Sequence, residues 1–389
     1  MNLLFILNNS KVLGGGEYSI FKFAEHLAKL GHKAVIYTTT RTIITSALEK
    51  HPNIEINYRG FIPKLFKGTG MLNRAWMWAY ENFVIKPRLR KEKDFDFIVG
   101  YHTSSTIRAT DLGTVFRIPS VSFVFETPDW MESQLRERWR QEYRGHFKRL
   151  WLRAKKALGK TSIIFANSKL TAEANRKWLG REIDGVIYPG LPSSTSKREW
   201  PSKKKNQIIY FGRLDKYKNI DIIIRALENV DKAPKLVICG SGAERASLEE
   251  LSRKTGVECE FLGTVEEYRK WEEIRKSLFM VFPSSFEGFG MPPMEALSCG
   301  IPCICSDIPI FREVYGNKIE YFKLGDIASL RNKIRFLLKN RKYRETKGKA
   351  GSKYVRDRYT WEKSAAKIEK VLLEYKKKKW DSANGNQSL

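Results

Sequence analysis

Residues 284–302 read SSFEGFGMPPMEALSCGIP. The apolar run LFMVFPS (278–284) before them has the make-up of a buried strand, and MEALSC after them has that of a helix stopped by Gly300. The link is EGFGM, and Pro292 and Pro293 suit a first helical turn, where a missing N–H costs nothing. Glu287 stands on the loop and Glu295 about one turn into the helix. A strand running through a Gly-rich turn into a helix is the repeating unit of a doubly wound parallel sheet.

The same texture extends in both directions. Strands are expected at QIIYFGRL (207–214), KLVICGSG (235–242), VECEFLG (257–263), PCICSD (302–307) and IEYFKL (319–324), with helices between them and further helices near 326–340 and 361–379. Upstream, LLFILNN (3–9), KAVIYTTT (33–40), FDFIVGYH (95–102), PSVSFVFE (119–126) and SIIFAN (162–167) form a second series. Its first strand meets its first helix through the glycine-rich KVLGGGE. Between the series lies SSTSKREWPSKKKNQ, polar and charged, with the character of an interdomain linker. The expectation is two Rossmann-like α/β domains facing across a cleft, residues 1–195 and 196–360, with the helix at about 361–380 packing back on the first. Ligands of such sheets bind beyond the carboxyl ends of the strands.

The 389-residue chain carries a net charge of +28, with both halves basic, which favours anionic partners. A nucleic-acid-binding protein is one reading of that charge. No helix-turn-helix, zinc-finger or RNA-recognition signature supports it, so no nucleic acid is expected. The five cysteines have no framework spacing and are taken as buried thiols rather than disulfides or a zinc site. MNLLFILNN is too short to span a membrane, so the expected location is cytoplasmic or peripheral on the cytoplasmic membrane face.

Three motifs at strand ends carry the chemistry. GRLDKYKN (212–219) places Arg213 and Lys218 where a planar fork and a point charge suit a diphosphate. CGSG (239–242) opens a helix with Gly240 and Gly242, through which a ligand could approach the backbone. In EGFGM the amides around Gly288, Phe289, Gly290 and Met291 can point at an anion. Carboxylates beside a phosphate are unfavourable by charge, but sensible if each accepts hydrogen bonds from sugar hydroxyls on either side of the diphosphate.

With these residues in view, the sequence resembles the retaining glycosyltransferases of the GT-B fold, family 4. Glu287 and Glu295 match that family's glutamate pair, EGFGMPPMEALSCGIPCICSD its pattern, and GRLDKYKN its Gly-Arg…Lys signature. GGGE, ANSKLT (166–171) and VIYPG (186–190) match as well. The resemblance implies transfer of a sugar from a nucleotide-diphosphate donor without metal or other cofactor. It assigns Arg213 and Lys218 to the departing diphosphate, Glu287 with Phe289 and Gly290 to the donor sugar, and Glu295 to the ribose. Gly212 belongs to the same donor set, and Gly15 and Gly16 would let the diphosphate or acceptor approach. A non-catalytic nucleotide-sugar binder is the alternative.

Where relatives carry a strand-end His in the first domain, FETPDW (125–130) has Glu126, with Asp129 close behind. Glu126 either serves the reaction, as a base or by orienting a hydroxyl, or caps the helix near Trp130. His102 ends the preceding strand and is a second acceptor-side candidate. DFD (94–96) precedes a strand and is read as a loop, not a metal site. The stretches 74–93 and 134–160 interleave aromatics with many Lys and Arg. They suit either an anionic membrane surface, with a glycan or lipid-linked acceptor, or core aromatics beneath a solvated face.

Overall fold

The computed structural model describes residues 1–7, 14–38, 41–58, 78–79, 81–91, 94–133, 146–192 and 204–385. The chain divides into two compact units, Met1–Tyr188 with Trp361–Leu389, and Pro189–Thr360. Most of the polar stretch 193–207 lies outside the described residues.

In the first unit, strands β1 (Asn2–Ile6), β2 (Lys33–Thr38), β3 (Ile54–Tyr58), β4 (Phe97–Tyr101), β5 (Ser120–Val124), β6 (Ile163–Ala166) and β7 (Gly185–Val186) form one parallel sheet. Its order is β3-β2-β1-β4-β5-β6-β7. Successive residues of a strand point to opposite faces, and here both faces are covered. Leu3, Phe5 and Leu7 join a core with Phe21, Phe23 and Phe123. Leu4 and Ile6 join another with Val35, Ile98 and Leu112. This two-sided burial is why the strands appear as continuous apolar runs. The sequence reading did not foresee β3, whose residues are mostly half-buried at the sheet edge.

The helix Trp361–Gly385 belongs to this unit. It buries Trp361, Ala365, Ile368 and Leu372 in the first core. His32 Nε2 lies 2.7 Å from Glu369 Oε1, Ser364 Oγ donates to Tyr188 O at 2.6 Å, and Lys376 pairs with Asp96. Asp96 also accepts from Asn2 N at 2.7 Å, so DFD serves the start of the sheet.

In the second unit, β8 (Gln207–Phe211), β9 (Lys235–Cys239), β10 (Cys259–Gly263), β11 (Met280–Phe282), β12 (Cys303–Ser306) and β13 (Glu320–Phe322) form a parallel sheet in the order β10-β9-β8-β11-β12-β13. The two doubly wound parallel sheets are the fold class expected. The helix Arg341–Arg358 was not foreseen, because its surface is almost wholly polar. Two glycines let it lie close: a Cβ on Gly348 would stand 2.1 Å from Gly300 O. Arg356 Nη2 then donates to Ser298 O at 2.8 Å, satisfying a carbonyl at the end of the helix Met291–Ser298 with a cation. That contact fixes the helix carrying Glu295.

Candidate functional site

The second unit gathers three motifs at the carboxyl ends of β8, β9 and β11. Beyond β8, Gly212 has φ +148°, and Lys216–Lys218 make one 3-10 turn closed by Asn219 in the left-handed region. Asn219 Nδ2 donates to Pro283 O at 3.1 Å, and Ser285 N donates to Tyr217 O at 2.9 Å. These bonds tie the turn to the loop that follows β11.

Lys218 is only 6% exposed, and its ammonium pairs with Glu287. It also lies 4.7 Å from the Tyr217 ring centroid and 5.1 Å from that of Phe282. A buried ammonium is tolerated because a carboxylate and two aromatic faces replace its water. Arg213, by contrast, is largely exposed. Its Nη1 stands 3.0 Å from Asp215 Oδ2, and its Nη2 donates to the Tyr217 hydroxyl at 2.5 Å.

The loop itself is buttressed. Gly290, φ +89°, precedes the helix Met291–Ser298, and Tyr315 donates its hydroxyl proton to Gly290 O. A Cβ at Gly290 would meet Phe311 at 2.6 Å. Phe289 is buried edge-on against Tyr359 at 5.4 Å, while Gly288 and Met291 are half-buried. Pro292 and Pro293 fall in the first turn, as expected. Glu295 is buried, and its Oε2 accepts from Lys270 Nζ at 2.7 Å. Lys270 in turn lies over Trp271 at 4.6 Å.

Gly240 and Gly242 are crowded by the neighbouring loop. A Cβ on Gly240 would lie 1.8 Å from Gly212 O, and one on Gly242 would lie 2.3 Å from Leu214 O. Leu214 N donates to Ser241 O at 2.9 Å. These glycines are required by the approach of one loop to its neighbour.

Gly16 in the first unit is crowded as well: a Cβ there would stand 1.9 Å from the Tyr101 hydroxyl. Gly15 starts the helix Gly15–Lys29 and is exposed. Tyr101 ends β4, with its ring 5.1 Å from that of Phe125. Burial, then the carboxylates of Glu17 and Glu126, hold its phenol well above the ordinary value, so it stays protonated.

Glu126 follows β5, and its carbonyl accepts from Asn175 Nδ2 at 3.1 Å. With Tyr101 it lines a cavity of about 60 Å³ whose other walls include Phe123, Met131, Trp151 and Trp178. Asp129 is exposed within the helical turn 128–133. It is not among the residues lining that cavity. His102 opens the helix His102–Phe116, and its side chain lies outside the described residues.

The sequence reading missed Tyr217, Asp215, Lys270 and Tyr101. Tyr217 alone had a local signal, an aromatic flanked by lysines in DKYKN. Of the interleaved apolar residues in 134–160, Leu158 is buried, Leu150 and Trp151 are half-buried, and Leu152 is 56% exposed. Trp139 lies outside the described residues, as does the Phe147 side chain. In 74–93, Trp78 and Phe83 are exposed and meet edge-on at 6.2 Å, whereas Ile85 and Leu89 are buried.

Two family models match. "Glycosyltransferase Family 4" covers residues 13–194, and "Glycosyl transferases group 1" covers 193–354. The O-antigen biosynthesis glycosyltransferase WclY of Escherichia coli is 32% identical over 160 residues, 41% of this chain and 44% of that protein. The phosphatidyl-myo-inositol mannosyltransferase of Mycobacterium leprae is 31% identical over 198 residues, 48% and 51% of the two chains. The chain spans about half the length of the curated relatives it matches. The crystal structure of Anabaena Alr3699/HepE in complex with UDP and glucose matches with a TM-score of 0.75 at 18% identity, over 96% of this chain and 100% of that one, a likeness of fold.

Proposed function

Because the chain belongs to the family 4 and group 1 glycosyltransferases, the one model matching its first part and the other its second, we propose that it moves a sugar from a nucleotide-diphosphate donor to an acceptor, retaining the anomeric configuration and using no metal. The observation that carries this reading is the set of strand-end charges in the second unit. Arg213 is exposed, Lys218 is buried against Glu287, and both stand in loops bonded to the one that opens the helix Met291–Ser298. Two cations in that position neutralise a departing diphosphate, the part a metal plays elsewhere. One lost donor of this kind typically costs about 2.7–4 kcal/mol of transition-state stabilisation. Glu287 accepts from donor-sugar hydroxyls and Glu295 from the ribose. Glu126, in the first unit, acts on the acceptor or sugar hydroxyl.

The acceptor in this proposal is a glycan or lipid-linked glycan near an anionic membrane. Support comes from the exposed Leu152, set among Arg149, Arg153, Lys155 and Lys156, and from the exposed Trp78 and Phe83, which precede the basic segment 86–93. Among the described residues, no helix is long and apolar enough to cross a membrane. Sedimentation with anionic liposomes at low salt, weakened by Phe83→Ser, tests the membrane part, and absence of sedimentation sinks it.

The activity is tested by incubating the protein, in the presence of EDTA, with UDP-, GDP- and ADP-sugars and following nucleoside diphosphate release. A Glu287→Ala control and a parallel series with membrane lipid extract accompany it. Release from one donor, lost in the control, supports a transferase, and the anomer formed decides retention. Binding without release in either series leaves a nucleotide-sugar binder.

A further inference from the structure

We propose that Asp215 is a positioning residue that holds Arg213 away from the diphosphate in the empty site and thereby sets the affinity for the nucleotide. This inference rests on the donor-site reading above. The two cations are held in different ways. Lys218 is enclosed by Glu287, Tyr217 and Phe282, so it has nowhere to go when a ligand arrives. Arg213 is 62% exposed, and both its terminal nitrogens are engaged by this chain, Nη1 with Asp215 at 3.0 Å and Nη2 with the Tyr217 hydroxyl at 2.5 Å.

A guanidinium recognises a phosphate with two parallel N–H donors. Asp215 at Nη1 and the Tyr217 hydroxyl at Nη2 fix the plane of the guanidinium, so turning its fork onto a phosphate requires the pair with Asp215 to open. The pair is exposed and therefore weak, which makes the exchange easy. The turn Lys216–Lys218 is fixed through Tyr217 O and Asn219, while the Arg213 side chain projects from the segment before it, so the arginine is the partner that moves. Asp215 thus stands in for the absent anion and is displaced by a stronger one.

The test is calorimetric titration of the whole protein with UDP, GDP and ADP, and with the matching nucleoside and monophosphate. The variants are Asp215→Asn, Arg213→Ala and the double variant, each checked for unchanged thermal unfolding. Asp215→Asn should tighten the bound nucleoside diphosphate about threefold to fivefold, the equivalent of one exposed ion pair. The neutral nucleoside should bind unchanged, and the gain should vanish in the Arg213→Ala background. Equal or weaker binding by Asp215→Asn overturns the proposal. So does a gain that persists without Arg213, because Asp215 would then act by bulk charge alone. If the wild type binds none of the three diphosphates, the donor-site reading itself falls and this inference falls with it.

Discussion

Gly240 in the second unit, just after β9, and Gly16 in the first, in the opening turn of the helix Gly15–Lys29, are both crowded, but by different neighbours. A Cβ at Gly240 would strike the backbone carbonyl of Gly212 at 1.8 Å, and φ there is +146°. A Cβ at Gly16 would strike the tip of the Tyr101 side chain at 1.9 Å. Backbone held by a parallel ladder cannot retreat, whereas a phenol can swing. The second unit therefore builds its site from loops locked to one another, and the first builds its site from side chains placed over one another. The same glycine-rich spelling hides two different mechanical designs.

The largest expected effect tests the locked side of that contrast. Glu287→Ala leaves the Lys218 ammonium buried without its carboxylate, and breaking a buried pair costs about 3–5 kcal/mol. Its counterpart in the first unit is Arg88–Glu55, whose carboxylate is 42% exposed. Water can replace that partner, so Glu55→Ala should cost no more than about 1 kcal/mol. Denaturant unfolding of both variants measures the difference, and similar losses would break the comparison.

The glycines come next. Gly240→Ala should destabilise by about 2–4 kcal/mol, through both the forbidden φ and the clash. Gly16→Ala should cost about 1 kcal/mol, as Tyr101 shifts. Tyr101→Phe removes the nearest atom, so adding it should recover part of the Gly16→Ala loss. No substitution elsewhere in the loops 212–214 or 240–242 should do that for Gly240→Ala.

A third comparison lies in the response to acid. Burial alone would raise the Glu320 carboxyl, but hydrogen bonds from Tyr343, Lys333 and Lys347 bring it down to about 2. Its value in the folded chain lies below the ordinary 4.5, so its stabilisation is complete above pH 4.5 and is lost as pH falls toward 2. Glu25 behaves likewise, at about 2 despite burial, through Lys22 and Lys29. Those partners share its own helix, whereas Glu320 joins β13 to the helices Ile327–Lys339 and Arg341–Arg358. Glu320→Gln should remove about 1–3 kcal/mol at pH 6 and almost nothing at pH 2, and Glu25→Gln, whose carboxyl moves from the same 4.5 to the same value, should change as much between the two pH values. Unfolding at the two pH values measures it.

These contrasts also mark what the sequence could tell. Strands buried on both faces announce themselves as apolar runs, and Gly and Pro mark the turns between them, so both sheets and the loop at 285–290 were legible. β3 was not, because an edge strand is only half-buried. The helix Arg341–Arg358 was not, because it docks through glycines and arginine–carbonyl bonds rather than an apolar stripe. Arg213, Lys218 and Glu287 were legible as charges at strand ends. That Lys218 pairs with Glu287 was not, since it depends on how two loops cross, nor that Arg213 turns to Asp215, two residues on, since it depends on how that loop bends. Nor does anything in GGGE reveal the tyrosine that arrives from the end of β4 and crowds Gly16.

The smallest effect expected concerns two helix caps. Ser168 Oγ accepts from Thr171 N at 3.0 Å and is fully buried, while Asp326 Oδ1 accepts from Ser329 N at 2.9 Å in a half-exposed place. Both satisfy an amide that the helix cannot, yet only at Asp326 can water take over. Ser168→Ala strands a buried N–H and should cost about 1–2 kcal/mol, and Asp326→Ala about 0.5–1 kcal/mol. Asp326→Asn keeps the oxygen and removes the charge, so it should recover most of the second loss if hydrogen bonding rather than the helix dipole is responsible. Equal losses for Ser168→Ala and Asp326→Ala would mean that access to water does not separate the two caps, and that the first unit is no more closed at this helix than the second is at its own.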